Sequence, residues 1–139
     1  MTGVQTCALP IYEPRAAASL LEHAGPKPDL ARLPVVVYDD KDDLQSGALH
    51  RAGITGRPPE HRVPSAEAFV RAIADGIGWG MVPRLQLPGA PFAADDIPPL
   101  PVPGLHPEAV SLHLQRWSTA LPALAQLEDA VRRGARALL

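Results

Sequence analysis

Residues 63–83 constrain the fold most, because they carry the signals for a helix, its end and a following strand. Ser65 is a favourable N-cap, since its hydroxyl oxygen can accept a hydrogen bond from an N–H of the first helical turn. Five apolar residues at helical spacing predict the buried face: Ala66, Phe69, Val70, Ile73 and Ile77. Gly76 ends the helix, because glycine tolerates the left-handed conformation. The apolar run 77–82, closed by Pro83, then predicts a buried parallel strand.

Two further strands precede this helix. Residues 33–38 are apolar on both faces and rich in valine, which is typical of an interior strand. Residues 43–51 predict a second helix, and residues 60–63 a short strand. The order strand, helix, strand, helix, strand predicts consecutive βαβ units, and therefore an α/β fold with a mainly parallel sheet and flanking helices.

The region after this unit is rich in proline. Residues 85–107 contain seven of the chain's 17 prolines, so any helix there would be short. Residues 97–102 either form an edge strand, where proline is tolerated, or belong to a long irregular loop. Residues 111–117 alternate leucine with polar side chains and predict a strand. Pro122 marks the start of a terminal helix with one predicted buried face, consisting of Leu124, Leu127, Val131, Ala135 and Leu138.

Four aspartates follow the first predicted strand: Asp39, Asp40, Asp42 and Asp43, with Lys41 among them. One interpretation is a solvated turn whose aspartates cap the next helix. The other is a cation-recognition loop, because open α/β sheets bind ligands at the carboxyl ends of their strands. The sequence leaves both interpretations open.

Four motifs occur in a characteristic order. They are Pro34-Val35-Val36-Val37-Tyr38-Asp39 with Asp42-Asp43-Leu44, Ser65-x-Glu67-Ala68-Phe69-Val70, Gly80-Met81-Val82-Pro83-x-Leu85-Gln86, and Leu112-x-Leu114-x-Arg116-Trp117. Together they resemble the effector-binding domain of LysR-type transcriptional regulators, and are most similar to the lysine- and arginine-sensing ArgP (IciA-like) branch. The resemblance covers residues 12–139. It implies a type II periplasmic-binding-protein-like α/β fold that is incomplete at its N-terminus.

The resemblance also implies a division of the chain. Residues 12–32 would connect from a first subdomain, residues 33–107 would form the second, and residues 108–139 would supply a strand and a helix that return to the first. Residues 1–11 resemble a translated sequencing adapter, and we expect them to be non-native. Cys7, the one cysteine, would then lie outside the genuine sequence, which we expect to continue upstream of residue 12.

The implied effector is lysine or arginine, which carries a carboxylate, an α-ammonium group and a cationic tail. Ser65 and the N–H groups at its helix start would bind the carboxylate. One or more of Asp39, Asp42 and Asp43 would accept hydrogen bonds from the cationic groups. Trp79 would either form a cation–π wall or belong to the core. The alternative is that Ser65 only caps and the aspartates are only solvated.

Several other functions are not favoured. A net charge of −2 gives no electrostatic reason for this chain to bind DNA, and the resemblance assigns DNA recognition to an N-terminal helix-turn-helix upstream. No histidine spacing suits a metal, no G-x-S-x-G motif is present, and no apolar run is long enough for a membrane span. We therefore expect no enzyme activity, metal, cofactor or membrane. The resemblance implies a cytoplasmic homodimer or homotetramer; a solute-binding protein of the periplasmic type is the alternative.

Overall fold

The computed structural model describes residues 5–88, 90, 92–115 and 121–137. The chain divides into a main unit, Tyr12–Glu108, and a terminal unit, Met1–Ile11 with Ala109–Leu139. The strands are β1 (Gln5–Ala8), β2 (Ile11–Arg15), β3 (Val35–Val37), β4 (Glu60–Arg62), β5 (Gly80–Pro83), β6 (Glu108–Ala109) and β7 (Leu112–Leu114). The helices are α1 (Ala18–Ala24), α2 (Leu44–Arg51), α3 (Ala66–Ala74) and α4 (Pro122–Ala137).

In the main unit, β3, α2, β4, α3 and β5 follow one another in the order that the sequence predicts. β3 and β4 pair in parallel, with Val35 opposite Glu60. On its other edge β3 forms a parallel bridge to Trp79, the residue before β5. The Trp79 N–H donates to the Pro34 carbonyl at 2.9 Å, and the Val36 N–H donates to the Trp79 carbonyl at 2.8 Å. The βαβ units and the α/β class are therefore confirmed.

The main unit also contains a strand, β2, that the sequence analysis does not predict. β2 pairs with β5 in antiparallel register, with Tyr12 opposite Pro83. On the other edge of β2, the Leu100 N–H donates to the Pro14 carbonyl at 2.9 Å. Of the two alternatives for residues 97–102, an edge strand or an irregular loop, the structure shows an isolated bridge between Arg15 and Pro99, because prolines have no N–H to donate to a longer ladder. The sheet is thus parallel around β3 but antiparallel at β2.

α3 forms as the sequence predicts and covers one face of this sheet. The Ser65 Oγ accepts a hydrogen bond from the Ala68 N–H at 3.4 Å, which confirms the N-cap. The buried side chains of α3 join strand residues in one core cluster, consisting of Val36, Phe69, Val70, Ala72, Ile73, Val82 and Ile97. A second cluster contains α2 residues and includes Val35, Val37, Ala48, Leu49, Trp79 and Met81. The sheet of the main unit therefore lies between two apolar layers.

Two residues depart from the predicted face of α3. Ala66 is exposed at the helix start, and Ile77 lies beyond the helix with 44% of its surface exposed. Gly76 has a φ of +77°, so the chain leaves the helical path one residue before Ile77. The prediction that Ile77 belongs to the buried helix face, and to the buried strand that follows, is therefore wrong.

The terminal unit pairs β1 with β7 in antiparallel register and contains α4. The segment predicted to be non-native thus includes a strand, and its origin stays a prediction. α4 begins at Pro122 as predicted, but among the residues that the structure describes its apolar face is not buried: Leu127 is 59% and Val131 40% exposed. The predicted positions Arg116, Trp117 and Leu138 lie outside the described residues.

Candidate functional site

A cavity of about 200 Å³ lies at the carboxyl ends of β3 and β5. Its lining comes from several segments of the main unit and includes Tyr12 of β2, Tyr38 and Asp42 after β3, Ala66 of α3, Met81 of β5 and Gln86 in the turn after β5. We call it the strand-end cavity. Open α/β sheets bind ligands at this edge, which makes the cavity the first candidate for a functional site.

The N-terminus of α3 reaches the strand-end cavity at Ala66, the residue after the N-cap. The first N–H groups of a helix have no partner within the helix, and together with the helix dipole they favour an anion. Ser65 itself is exposed, and its hydroxyl oxygen already accepts from Ala68. A hydroxyl that accepts one hydrogen bond can still donate its own proton. This part of the cavity is therefore suited to a carboxylate.

Asp42 is the aspartate that lines the strand-end cavity. Its Oδ2 accepts from the Tyr38 N–H at 2.7 Å, and its Oδ1 accepts from the Leu44 N–H at 3.3 Å. These two bonds fix the carboxylate across the turn between β3 and α2. An ionised carboxylate offers about four acceptor positions, so Asp42 can still accept from a cationic ligand.

Asp39 and Asp43 lie elsewhere. Both line a larger cavity of about 610 Å³ between α2 and the β3–β4 edge, and Asp42 is common to the two cavities. The Asp39 Oδ1 accepts from the Lys41 N–H at 2.8 Å, which is a turn contact. Asp43 precedes α2 without a capping bond from its side chain. Of the three predicted acceptors, the structure brings only Asp42 to the N-terminus of α3.

Trp79 is a core residue, which is the second of the two roles that the sequence left open for it. Its side chain is 0% exposed, belongs to the core cluster on the α2 side, and is not among the residues that line the strand-end cavity. Trp79 therefore packs in the core and is not accessible to an effector in the strand-end cavity.

Sequence reasoning missed an ion network beside the cavity. Glu13 of β2 is 8% exposed, and its Oε2 accepts from Arg15 Nε at 2.9 Å while its Oε1 accepts from Arg84 Nε at 2.7 Å. Arg15 Nη1 also donates to the Ile97 carbonyl at 2.8 Å. Burial raises the pKa of Glu13, but the hydrogen bonds and charges of the two arginines outweigh burial and hold that pKa below its ordinary value.

Tyr12, Tyr38 and Gln86 were likewise not predicted as lining residues. Tyr38 directly follows β3 and Gln86 closes the motif that contains β5, and strand ends are where ligand contacts concentrate. That position was the available signal for them. Tyr12 carried no such signal, because β2 was not predicted.

Among the described residues, no group of three or more His, Cys, Asp or Glu side chains could hold a metal ion. No helix in the same part of the chain is both long enough and apolar enough to span a bilayer.

Comparison with known proteins connects this geometry to a family. No family model matches the chain. The lysine export transcriptional regulatory protein LysG of Corynebacterium efficiens is 38% identical over 114 residues, which are 80% of this chain and 38% of that protein. The chain therefore spans less than half the length of this curated relative.

Two solved structures are similar over nearly the whole chain. Full-length LysG from Corynebacterium glutamicum with bound effector Arg superposes with a TM-score of 0.79 at 33% identity, covering 96% of this chain and 46% of that one. The C-terminal domains of a LysR family protein from Agrobacterium tumefaciens give a TM-score of 0.82 at 31% identity, covering 99% and 67%. The chain therefore belongs to the LysR family of transcriptional regulators and has the type II periplasmic-binding-like fold of their regulatory domains.

Proposed function

We propose that this chain is the effector-sensing part of a transcriptional regulator and binds lysine or arginine in the strand-end cavity. One observation carries the proposal: the N-terminus of α3, at Ala66, and the carboxylate of Asp42 line the same cavity. An anion-binding group and a cation-binding group at one small cavity match a zwitterionic ligand with a basic side chain. The similarity to a LysG structure with bound effector Arg supports the assignment.

The carboxylate of the effector binds the helix start. The N–H groups of Ala66 and Glu67 donate to it, and the Ser65 hydroxyl donates its proton while continuing to accept from Ala68. The α3 helix favours the anion through its dipole, an effect confined to the first turn. Lysine and arginine both carry this carboxylate, so this half of the cavity does not distinguish them.

Asp42 accepts from the cationic groups of the effector. Its side chain is already oriented by Tyr38 and Leu44, so little conformational entropy is lost on binding. The rings of Tyr12 and Tyr38 supply apolar surface for the aliphatic stem. Asp39 and Asp43 contribute negative potential from the adjacent turn and no direct contact. Trp79 acts only by supporting the sheet.

The test is a titration of the chain with arginine, lysine and, as a negative control, glutamate, followed by backbone NMR shifts and calorimetry. We expect arginine or lysine to shift the amide signals of Ala66 and Glu67, and glutamate to leave them unchanged. Absence of any shift with both basic amino acids would refute the proposal.

Matched variants locate the contacts. Asp42→Asn is expected to weaken binding by about tenfold or more, since a hydrogen bond to a charged group contributes about 1.5–3 kcal/mol. Asp39→Asn removes the same charge from the same turn and serves as the control, with a smaller effect. Ser65→Ala should weaken binding beyond the ~1 kcal/mol that loss of the cap costs the helix. Equal losses from Asp42→Asn and Asp39→Asn would move the site to the larger cavity.

We also propose that DNA recognition belongs to a helix-turn-helix outside these 139 residues, and that the regulator is a cytoplasmic homodimer or homotetramer. In this proposal residues 12–32 connect the subdomains, 33–107 form the second subdomain, and 108–139 return to the first. The net charge of −2 supports the first point, because DNA binding depends on cationic contacts to phosphate. The chain alone should then give no sequence-selective shift of an operator fragment in a gel; a selective, salt-sensitive shift would overturn that placement.

A further inference from the structure

We infer that Glu13 is a positioning residue for the strand-end cavity, acting through Arg84 on the turn that carries Gln86. The inference rests on the proposed effector site. Tyr12 lines that cavity, and successive residues of a strand point to opposite faces. Glu13 therefore points away from the cavity, and it is not among the lining residues. Any influence it has on binding is indirect.

Glu13 joins three segments that are distant in sequence. It accepts hydrogen bonds from Arg15 on its own strand and from Arg84 directly after β5, and Arg15 extends the connection to the Ile97 carbonyl. The Glu13 and Arg15 side chains are 11% and 13% exposed. Charge-assisted bonds of this kind are short and directional, so they fix where the partner groups lie.

The turn that begins at Arg84 is short and largely exposed. Arg84–Gln86 is a single 3-10 turn without a side-chain cap and with none of its residues buried. Its closing bond, from the Leu87 N–H to the Arg84 carbonyl, is long at 3.3 Å, and Leu85 is 45% exposed. Leu87, directly after the turn, packs against the core cluster on the α3 side, and the bonds from Arg84 to Glu13 tie the other end of the turn to β2.

Gln86 is the residue of this turn that faces the cavity. Its side-chain amide can both donate and accept, so it can meet either end of an amino-acid effector. The Arg84 side chain is 53% exposed, and an ion pair that water can reach contributes little to stability. The role of the Glu13–Arg84 pair is therefore to position Gln86, since the pair by itself contributes little to stability.

The experiment combines two substitutions in the ion network with Gln86→Ala, which removes the Gln86 side-chain amide. Glu13→Gln and Arg84→Met are made as separate variants. Arg84→Met leaves Glu13 paired with Arg15, so it provides a test even if Glu13→Gln does not fold. Arg71→Met is the control, because Arg71 of α3 pairs with Asp75, directly after that helix, and does not line the strand-end cavity. The side-chain amide NMR signals of Gln86, assigned by their loss in Gln86→Ala, report its position without any ligand. Arginine titration reports affinity.

We expect Glu13→Gln and Arg84→Met to shift or broaden the Gln86 amide signals and to weaken arginine binding by about fivefold, the scale of one lost net hydrogen bond. Arg84→Lys should restore part of the affinity. In a Gln86→Ala background neither substitution should weaken binding further, which separates positioning from general destabilisation. Unchanged Gln86 signals, or an equal loss of affinity with and without Gln86, would overturn the inference while leaving the effector site intact. Failure of the parent chain to bind arginine or lysine would instead refute the proposed function, and the inference with it.

Discussion

Replacing Gly78 with alanine is expected to destabilise the main unit by about 2–4 kcal/mol. A Cβ at residue 78 would lie 2.6 Å from the Pro34 carbonyl oxygen and 2.9 Å from its carbon, well inside the 3.4 Å at which ordinary contact begins. These are backbone atoms at the entrance to β3, so they cannot rotate away as a side chain can. Overpacking costs about 1–3 kcal/mol, and displacing the Pro34 carbonyl weakens its hydrogen bond from Trp79, which adds about 1 kcal/mol.

The matched control is Gly47→Ala in α2 of the same unit. There the nearest atom to a new Cβ is Arg51 Nη1 at 3.1 Å, the far end of a flexible side chain. Alanine stabilises a helix interior relative to glycine, so this variant should increase the free energy of unfolding by about 0.5–1 kcal/mol. Urea unfolding followed by far-ultraviolet circular dichroism measures both changes. If Gly78→Ala unfolds at the urea concentration of the parent chain, the close approach of residue 78 to β3 is wrong.

Two further outcomes are expected. In the folded chain the pKa of Glu13 lies below its ordinary value of 4.5, so the stability that ionised Glu13 contributes is present above the unfolded pKa and is lost as pH falls through the folded pKa. The difference in free energy of unfolding between the parent and Glu13→Gln should therefore shrink from neutral to acidic pH in urea unfolding experiments. A difference that stays constant with pH would contradict this. Leu127 and Val131 expose the apolar face of α4, so we expect the chain to self-associate and Leu127→Glu to lower that association in sedimentation experiments. A parent chain that stays monomeric, or an association that Leu127→Glu leaves unchanged, would contradict this.

The elements that sequence analysis predicted are those with local signals. α3 has a cap, a periodic apolar face and a glycine stop, all within residues 65–76, and each signal acts without help from the rest of the chain. β2 has none of these features. It is five residues long, contains Pro14 and begins at Ile11, the last residue of the segment expected to be non-native. Its stability comes from pairing with β5, some 70 residues away in sequence. Long-range pairing of this kind leaves no periodic pattern in a short strand.

The candidate site shows the same division. The sequence predicts that the acidic turn and the start of α3 belong to the site, because strand ends and helix starts have recognisable sequence signals. Which aspartate faces the helix could not be predicted, since consecutive turn residues differ in direction by backbone angles that composition does not encode. The Glu13–Arg84 bond joins residues 71 positions apart, and no spacing rule connects a glutamate to an arginine at that separation.

The two interpretations of the aspartates, turn formation and cation recognition, are compatible at Asp42. Its bonds from the Tyr38 and Leu44 N–H groups are those of a structural turn aspartate. Those bonds also hold the carboxylate rigidly at the rim of the strand-end cavity, with acceptor positions still available. A freely solvated aspartate would have to be immobilised by the ligand, and the cost would reduce affinity. In the proposed site, Asp42 can therefore recognise a cation because it first organises the turn. Asp39 also makes a turn contact, but it lines only the larger cavity and not the strand-end cavity.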